Sequence, residues 1–239
     1  LKSLNANLQV VVAFRMLPEV VWKMPKLGTF NLHASLLPNY RGAAPINWAI
    51  INGETKTGVT TFFIDDKIDT GAMILSKETP ISISENAGIL HDRLMDLGCE
   101  AVTETLALIE KGAVKTTIQE DSNDIKTAYK LNKENCKIDW TKPAIETYNL
   151  IRGLNPYPSA WCFISDKNEE WNVKIHEAIM ILENHNYTIG RLICNKKELK
   201  IAVKNGFIQV LSIQFPGKKR MGTSELLNGI TFSEEAKAY

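Results

Sequence analysis

The sequence predicts an α/β domain followed by a small all-β domain, and three observations lead there. In the first half, β-rich runs at residues 8–14, 29–35 and 58–65 alternate with helical patterns. Residues 31–45 read Asn-Leu-His-Ala-Ser-Leu-Leu-Pro-Asn-Tyr-Arg-Gly-Ala-Ala-Pro, a strand with three polar side chains on one face that runs into Pro38 and Gly42. Beyond residue 136, five short strand patterns follow one another, and Asn205-Gly206 marks a tight hairpin between the last two.

The elements follow in order. The strand at 8–14 precedes a short helix opening at Pro18, where proline suits the first turn. The strand at 29–35 is followed by a helix over 45–51 that Asn52-Gly53 ends. Next come the strand at 58–65, strand residues at 73–77 and 81–82, and a long helix with Ser84 as N-cap. Leu90, Leu94, Leu97, Ala101 and Leu108 recur on it as one buried stripe, and Gly112 stops it. Residues 119–135 turn polar and read as a linker, which sets the domains at 1–118 and 136–239. In the second, an amphipathic helix over 143–152 is closed by Gly153. Strands at 160–164, 172–182, 190–194, 199–204 and 207–215 then suggest a small β-barrel.

Composition narrows the class without naming a function. Hydrophobic content of 44% and charged content of 23% suit a globular chain rather than a disordered one. The longest apolar runs fall far short of the ~18 residues a membrane span needs. Cys99, Cys136, Cys162 and Cys194 lie far apart with no C-x-x-C pair, so neither a zinc site nor a disulfide framework is suggested, and a reducing cytoplasm fits best. His91, His176 and His185 read as structural or solvated, and no metal is expected. Residues 1–120 carry 11 Lys+Arg against 13 Asp+Glu, and residues 121–239 carry 17 against 14. That mild asymmetry leans toward a polyanion on the second half but does not by itself establish RNA binding.

Strand alternation puts Asn31, His33 and Ser35 on one face and Phe30, Leu32 and Ala34 on the other. Open α/β sheets bind ligands at the carboxyl ends of their strands, which is where this polar face runs out. Taken alone, an Asn and a His two apart in a strand more often describe a solvated sheet face than a catalytic pair. The strand at 58–65 leads into Asp69-Thr70-Gly71, where a carboxylate beside a glycine can turn back toward a neighbouring histidine.

These residues resemble the folate-dependent formyltransferases, and within them the branch that acts on methionyl-tRNA. The likeness runs through Ser35-Leu36-Leu37-Pro38, Tyr40-Arg41-Gly42-Ala43-Ala44-Pro45, Trp48-Ala49-Ile50 and Asp69-Thr70-Gly71. In the second half it continues through Ile151-Arg152-Gly153-Leu154-Asn155-Pro156-Tyr157-Pro158 and Pro216-Gly217-Lys218-Lys219-Arg220-Met221. The resemblance implies a Rossmann-like catalytic domain and an OB-like tRNA-binding barrel. It also implies Asn31, His33 and Asp69 as the catalytic trio, 10-formyltetrahydrofolate as formyl donor and initiator methionyl-tRNA as acceptor. The family carries at least two strand-helix units before the strand at 8–14, so the sequence is expected to be incomplete at its amino terminus. The part not included would hold the first strands and a basic loop that engages the acceptor end.

The donor is expected along Arg15, Met16, Leu17, Ser35, Leu36, Leu37 and Pro38, although the apolar residues among these also read as core. Arg41, Lys218, Lys219 and Arg220 are the expected tRNA contacts, against the alternatives of a carbonyl cap for Arg41 and a solvated turn for the others. A cytoplasmic monomer without membrane attachment is expected. Two other readings stay open: a formyltransferase acting on a small amine, such as an amino-sugar nucleotide, and a non-catalytic tRNA-binding fragment.

Overall fold

The computed structural model describes residues 1–12 and 16–239; Ala13, Phe14 and the expected folate contact Arg15 lie outside the described residues. The chain divides into two compact units. The first holds residues 1–49, 54–83 and 89–130, and the second holds 50–53, 84–88 and 131–239.

In the first unit, β1 (Gln9–Val12), β2 (Thr29–His33), β4 (Lys56–Phe63) and β5 (Met73–Pro80) form one sheet in the order β1-β2-β4-β5. β1 pairs parallel with β2, while β4 runs antiparallel to both β2 and β5. β2 is thus the strand at which the sheet changes direction. The short helix α1 (Glu19–Trp22) connects β1 to β2, and α2 (Pro45–Ile51) follows a two-residue strand β3 (Arg41–Gly42). β3 pairs in parallel with β6 (Thr127–Ala128).

The long helix α3 (Ala87–Glu110) packs along a stripe that differs in detail from the leucine pattern. Leu90, Leu94 and Ala101 are buried as expected, but Leu97 and Leu108 are only half-buried, and Gly98, Thr105 and Ile109 fill the remaining buried turns. Gly98 and Thr105 each have a physical reason to be there. A Cβ on Gly98 would lie 2.8 Å from Leu32 Cδ2, so the missing side chain lets the helix approach β2. Thr105 satisfies its buried hydroxyl locally, bonding Thr61 Oγ1 at 2.7 Å and the Ala101 carbonyl at 2.7 Å. The helix begins at Ala87, three residues after the expected cap at Ser84.

The segment expected to link the domains is pinned to the first unit through Lys130. Tyr40 N–H donates to the Lys126 carbonyl (2.6 Å), Ala43 N–H to Ala128 (2.8 Å), and Trp48 Nε1–H to Tyr129 (2.7 Å). The boundary between the units falls inside this segment, after Lys130, and its polar composition reflects a short ladder and its side-chain partners.

The second unit is antiparallel. β7 (Ala160–Asp166), β8 (Glu169–Leu182), β9 (Leu192–Cys194), β10 (Leu199–Val203), β11 (Gly206–Gln214) and β13 (Lys237–Ala238) take the order β13-β7-β8-β11-β10-β9, with β12 (Met221–Gly222) beside β11. The ends of that order meet: Arg191 bridges Lys237, Leu192 N–H donates to Ala236, and Ala238 N–H to Gly190. These bonds make the sheet a nearly closed barrel. Ile164, Ile175, Ile201, Ile208 and Ile213 fill it, with the amphipathic helix α4 (Ala144–Gly153) adding Ile151 and α5 (Thr223–Gly229) adding Leu226. Burial pushes the Cys162 thiol in this core up to about 12, so it behaves as an inert small hydrophobe.

The Asn205-Gly206 hairpin is present, but its two residues do different work. Val203 pairs with Gly206, so the turn residues are Lys204 and Asn205, and of the three only Asn205 is left-handed, at φ 60°. Gly206 is already in β11, where a Cβ would lie 2.1 Å from the Ile181 carbonyl oxygen. Gly206→Ala is therefore expected to cost about 1–3 kcal/mol by overpacking, whereas Asn205→Gly keeps the left-handed turn and loses the 3.3 Å bond from Ala144 N–H to Asn205 Oδ1, for about 1 kcal/mol or less. Urea unfolding midpoints of the two variants check this.

Candidate active site

β2 carries Asn31 and His33 on one face, as its alternation requires, and ends at the strand's carboxyl edge. Thr60 on β4 holds the exit: its hydroxyl donates to the Ser35 carbonyl (2.8 Å) and accepts Leu37 N–H (3.2 Å). Ser35 Oγ donates to the Asn39 carbonyl at 2.6 Å, closing a turn that places Tyr40 in the left-handed region at φ 61°. The Tyr40 carbonyl thereby returns to His33 and lies 2.8 Å from Nε2.

A carbonyl only accepts, so Nε2 carries the hydrogen of this bond and Nδ1 is the ring nitrogen left for other work. Nδ1 faces Asp69 Oδ2 at 3.7 Å. That is longer than a hydrogen bond, so neither atom is committed to the other. Both side chains are nonetheless nearly enclosed, at 8% and 13% exposure, in surroundings where charge is weakly screened. Asp69 is itself left-handed, at φ 56°, and its Oδ2 accepts Gly42 N–H at 2.9 Å. Gly71 two residues on is obligatory, because a Cβ there would lie 1.7 Å from the Phe63 carbonyl oxygen. Asn31 Oδ1 is buried and has no partner, a costly state for an amide unless a ligand completes it.

These three residues line one cavity of about 1060 Å³. Its walls are largely apolar, with Leu32, Ile64, Leu94, Met95 and Val102 among them. A mostly apolar chamber with a few convergent polar groups is the usual form of a small-molecule site. No group of His, Cys, Asp or Glu that could hold a metal ion occurs among the described residues.

Residues 1–106 match the formyl transferase family and residues 130–231 match the formyl transferase C-terminal domain. Over all 239 residues the chain is 75% identical to a methionyl-tRNA formyltransferase of Flavobacterium johnsoniae, spanning 76% of that protein's length. The chain belongs to the methionyl-tRNA formyltransferase family. Among solved structures it is similar to an N-formyltransferase from Helicobacter canadensis in complex with folinic acid and dTDP-3-aminofucose, at 25% identity and a TM-score of 0.63 over 82% of this chain and 70% of that one. It shares its fold with HypX from Aquifex aeolicus, at 22% identity and a TM-score of 0.68, covering 92% of this chain but only 38% of that one.

Within this formyltransferase, the expected donor-site residues separate. Met16 and Leu17 line the cavity with the trio. Ser35, Leu36, Leu37 and Pro38 form the turn beneath it: Ser35 and Leu37 are buried, and Leu36 packs against Gly58. Arg41 is held by Gln119 Oε1 (Nε, 3.0 Å) and Asp121 Oδ1 (Nη1, 2.8 Å), while its Nη2 is buried without a partner. In the second unit, Lys218 and Lys219 are exposed, and Arg220 is tied to Ser212 Oγ (2.8 Å) and Glu177 Oε1 (2.5 Å). Of that basic turn, the two lysines are free of side-chain ion pairs among the described residues.

Sequence reading missed the support of the trio. Tyr40 holds its carbonyl over His33 because its hydroxyl donates to Glu54 Oε1 at 2.5 Å and Lys126 Nζ donates to the same oxygen at 2.5 Å. Burial alone would raise the Glu54 carboxyl, but the hydrogen bonds from Lys126 and Tyr40 outweigh it and hold it below its ordinary value. A depressed carboxylate stabilises the fold above its unfolded-state value and loses that contribution as pH falls through the folded one. The stability gap between the wild type and Glu54→Gln is accordingly expected to be full near neutrality and to close on acidification below about pH 4, as read from urea unfolding at a series of pH values.

Proposed function

We propose that the chain transfers a formyl group from 10-formyltetrahydrofolate to the α-amine of methionyl-tRNA in the cytoplasm, with Asn31, His33 and Asp69 as catalytic residues. The observation that carries this reading is the convergence of an amide, an imidazole and a carboxylate on one cavity, in a chain of this family. The folate supplies a formyl carbon bonded to nitrogen. Apolar walls fit a flat ring system, and the unpaired Asn31 Oδ1 can accept an N–H of the donor or of the attacking amine. The complex of the Helicobacter canadensis relative with folinic acid supports the same donor class.

Transfer makes a carbon–nitrogen bond to the amine and breaks the one to the folate, whose nitrogen keeps the electron pair and takes a proton. Asn31 donates an amide N–H to the formyl oxygen as it gains negative charge. His33 is fixed by Tyr40 so that a proton on Nδ1 points toward the cavity, beside Asp69. In that form the imidazolium adds a charge-assisted donor. Asp69, with one oxygen steadied by Gly42 N–H, takes up the surplus proton of the attacking amine. No covalent intermediate on the protein is required.

His33→Ala and Asp69→Asn are each expected to lower kcat by about 100-fold or more with little change in melting temperature. Normal turnover in either would overturn the trio. Supplying an amino-sugar nucleotide in place of methionyl-tRNA tests the acceptor, and only the aminoacyl-tRNA should be formylated.

The exposed Lys218 and Lys219 are proposed contacts to tRNA phosphate, which position the nucleic acid rather than read its sequence. Replacing both with alanine should weaken tRNA binding and reduce the slope of log K against log salt by about 1 to 2. An identical salt dependence before and after would remove this turn from the interface.

A further inference from the structure

The loop that carries Asp69 and the loop that supplies partners to His33 and Asp69 are joined by one side chain that the chemistry itself does not use. Gln119 is buried, and it spends its amide on both loops. Its Nε2 donates to the Asp69 carbonyl at 2.9 Å and to the Gly71 carbonyl at 2.8 Å. Its Oε1 accepts from Arg41 Nε at 3.0 Å. One loop is Tyr40-Arg41-Gly42, which gives His33 its carbonyl partner and Asp69 its N–H partner. The other is Asp69-Thr70-Gly71 itself. Both N–H donors and one acceptor position of the amide are therefore used, in a geometry that only a planar carboxamide of this length supplies.

We propose that Gln119 is a positioning residue for formyl transfer, setting the distance between the Asp69 carboxylate and the His33 ring by clamping the loop that carries each one's support. The physical case rests on Asp69. Its left-handed backbone is a sparsely populated conformation for a non-glycine residue, so its surroundings must hold it there. The side chain of Asp69 has one hydrogen bond among those described, from Gly42 N–H, and that donor sits on the very loop that Gln119 ties down through Arg41. Without the amide, the Asp69 and Gly71 carbonyls lose their described side-chain donor and the two loops lose their shared anchor. The carboxylate and imidazole stand 3.7 Å apart with no direct bond between them, so nothing else in that pair fixes the gap.

This inference rests on the reading of His33 and Asp69 as catalytic, and the experiment separates the two. Gln119→Met keeps the volume and removes all three bonds; Gln119→Glu keeps the acceptor for Arg41 but removes both donors. A misplacement of about 1 Å at reacting groups costs on the order of 100-fold. Both variants are thus expected to lose about 10- to 100-fold in kcat, with KM for methionyl-tRNA and for the formyl donor within about twofold of wild type. Folinic acid binding by calorimetry counts the folded sites, so kcat is expressed per competent site. Asp69→Asn is assayed alongside.

If Asp69→Asn is inactive while both Gln119 variants keep wild-type kcat per site, the positioning role falls and the trio stands. If Asp69→Asn turns over normally, the trio falls and takes the clamp with it. If binding stoichiometry drops but kcat per remaining site is unchanged, Gln119 serves folding alone and the proposal is overturned.

Discussion

The site depends on a backbone carbonyl that can only accept. Because the Tyr40 oxygen meets His33 Nε2, the imidazole's hydrogen is assigned to that nitrogen, and the other nitrogen is turned toward Asp69 and the cavity. A side-chain partner could donate or accept and would leave the ring's state open. The cost of this certainty is structural. The carbonyl must be aimed by a turn whose last residue is left-handed and non-glycine, which a chain adopts only when several contacts enforce it.

Those contacts come from places distant in sequence. Lys126 supplies a carbonyl to Tyr40 N–H and an ammonium to Glu54, which in turn binds the Tyr40 hydroxyl. Asn39 Oδ1 accepts Lys126 N–H, and the β3–β6 pairing continues the same ladder through Ala128. A two-residue parallel pairing is too short to be stable by itself. It persists because side chains hold the segments around it, and those side chains also hold the loops beside His33 and Asp69. Stability and the geometry of the candidate site therefore draw on the same bonds in this part of the fold.

Much of this was legible in the sequence, for a definite reason. Period-two alternation placed Asn31 and His33 on one face without any knowledge of tertiary contacts, because pleat geometry is local. The Asp69-Thr70-Gly71 turn was legible in another way, from a carboxylate beside a glycine at a strand's exit and from the family resemblance; the close approach of Gly71 to the Phe63 carbonyl is visible only in the fold. The long helix was found, but its stripe was misjudged at Leu97 and Leu108, because hydrophobicity alone cannot tell that Gly98 and Thr105 face β2 and β4. Residues 119–135 were read as a linker from polarity. Polarity does not distinguish a chain solvated by water from one whose donors and acceptors are met by the protein, and Gln119 is the clearest case. No short pattern marks a glutamine whose partners are 48 to 78 positions away.

That contrast bears on what limits inference from a single chain. Asn31 and His33 sit on a regular strand, where spacing fixes direction, whereas Asp69 and the groups that aim all three sit on irregular segments, where direction is decided by long-range bonds. A site of a few polar groups in a largely apolar cavity needs both sets, because an imidazole and a carboxylate 3.7 Å apart in weakly screened surroundings gain nothing from proximity unless their orientation is held. The unpaired Asn31 oxygen shows the other side of the same arrangement. The fold satisfies most buried polar atoms, and of the few it leaves open among the described residues, the Asn31 oxygen is the one on a residue that lines the cavity, so the pattern of satisfaction carries information that residue identity lacks.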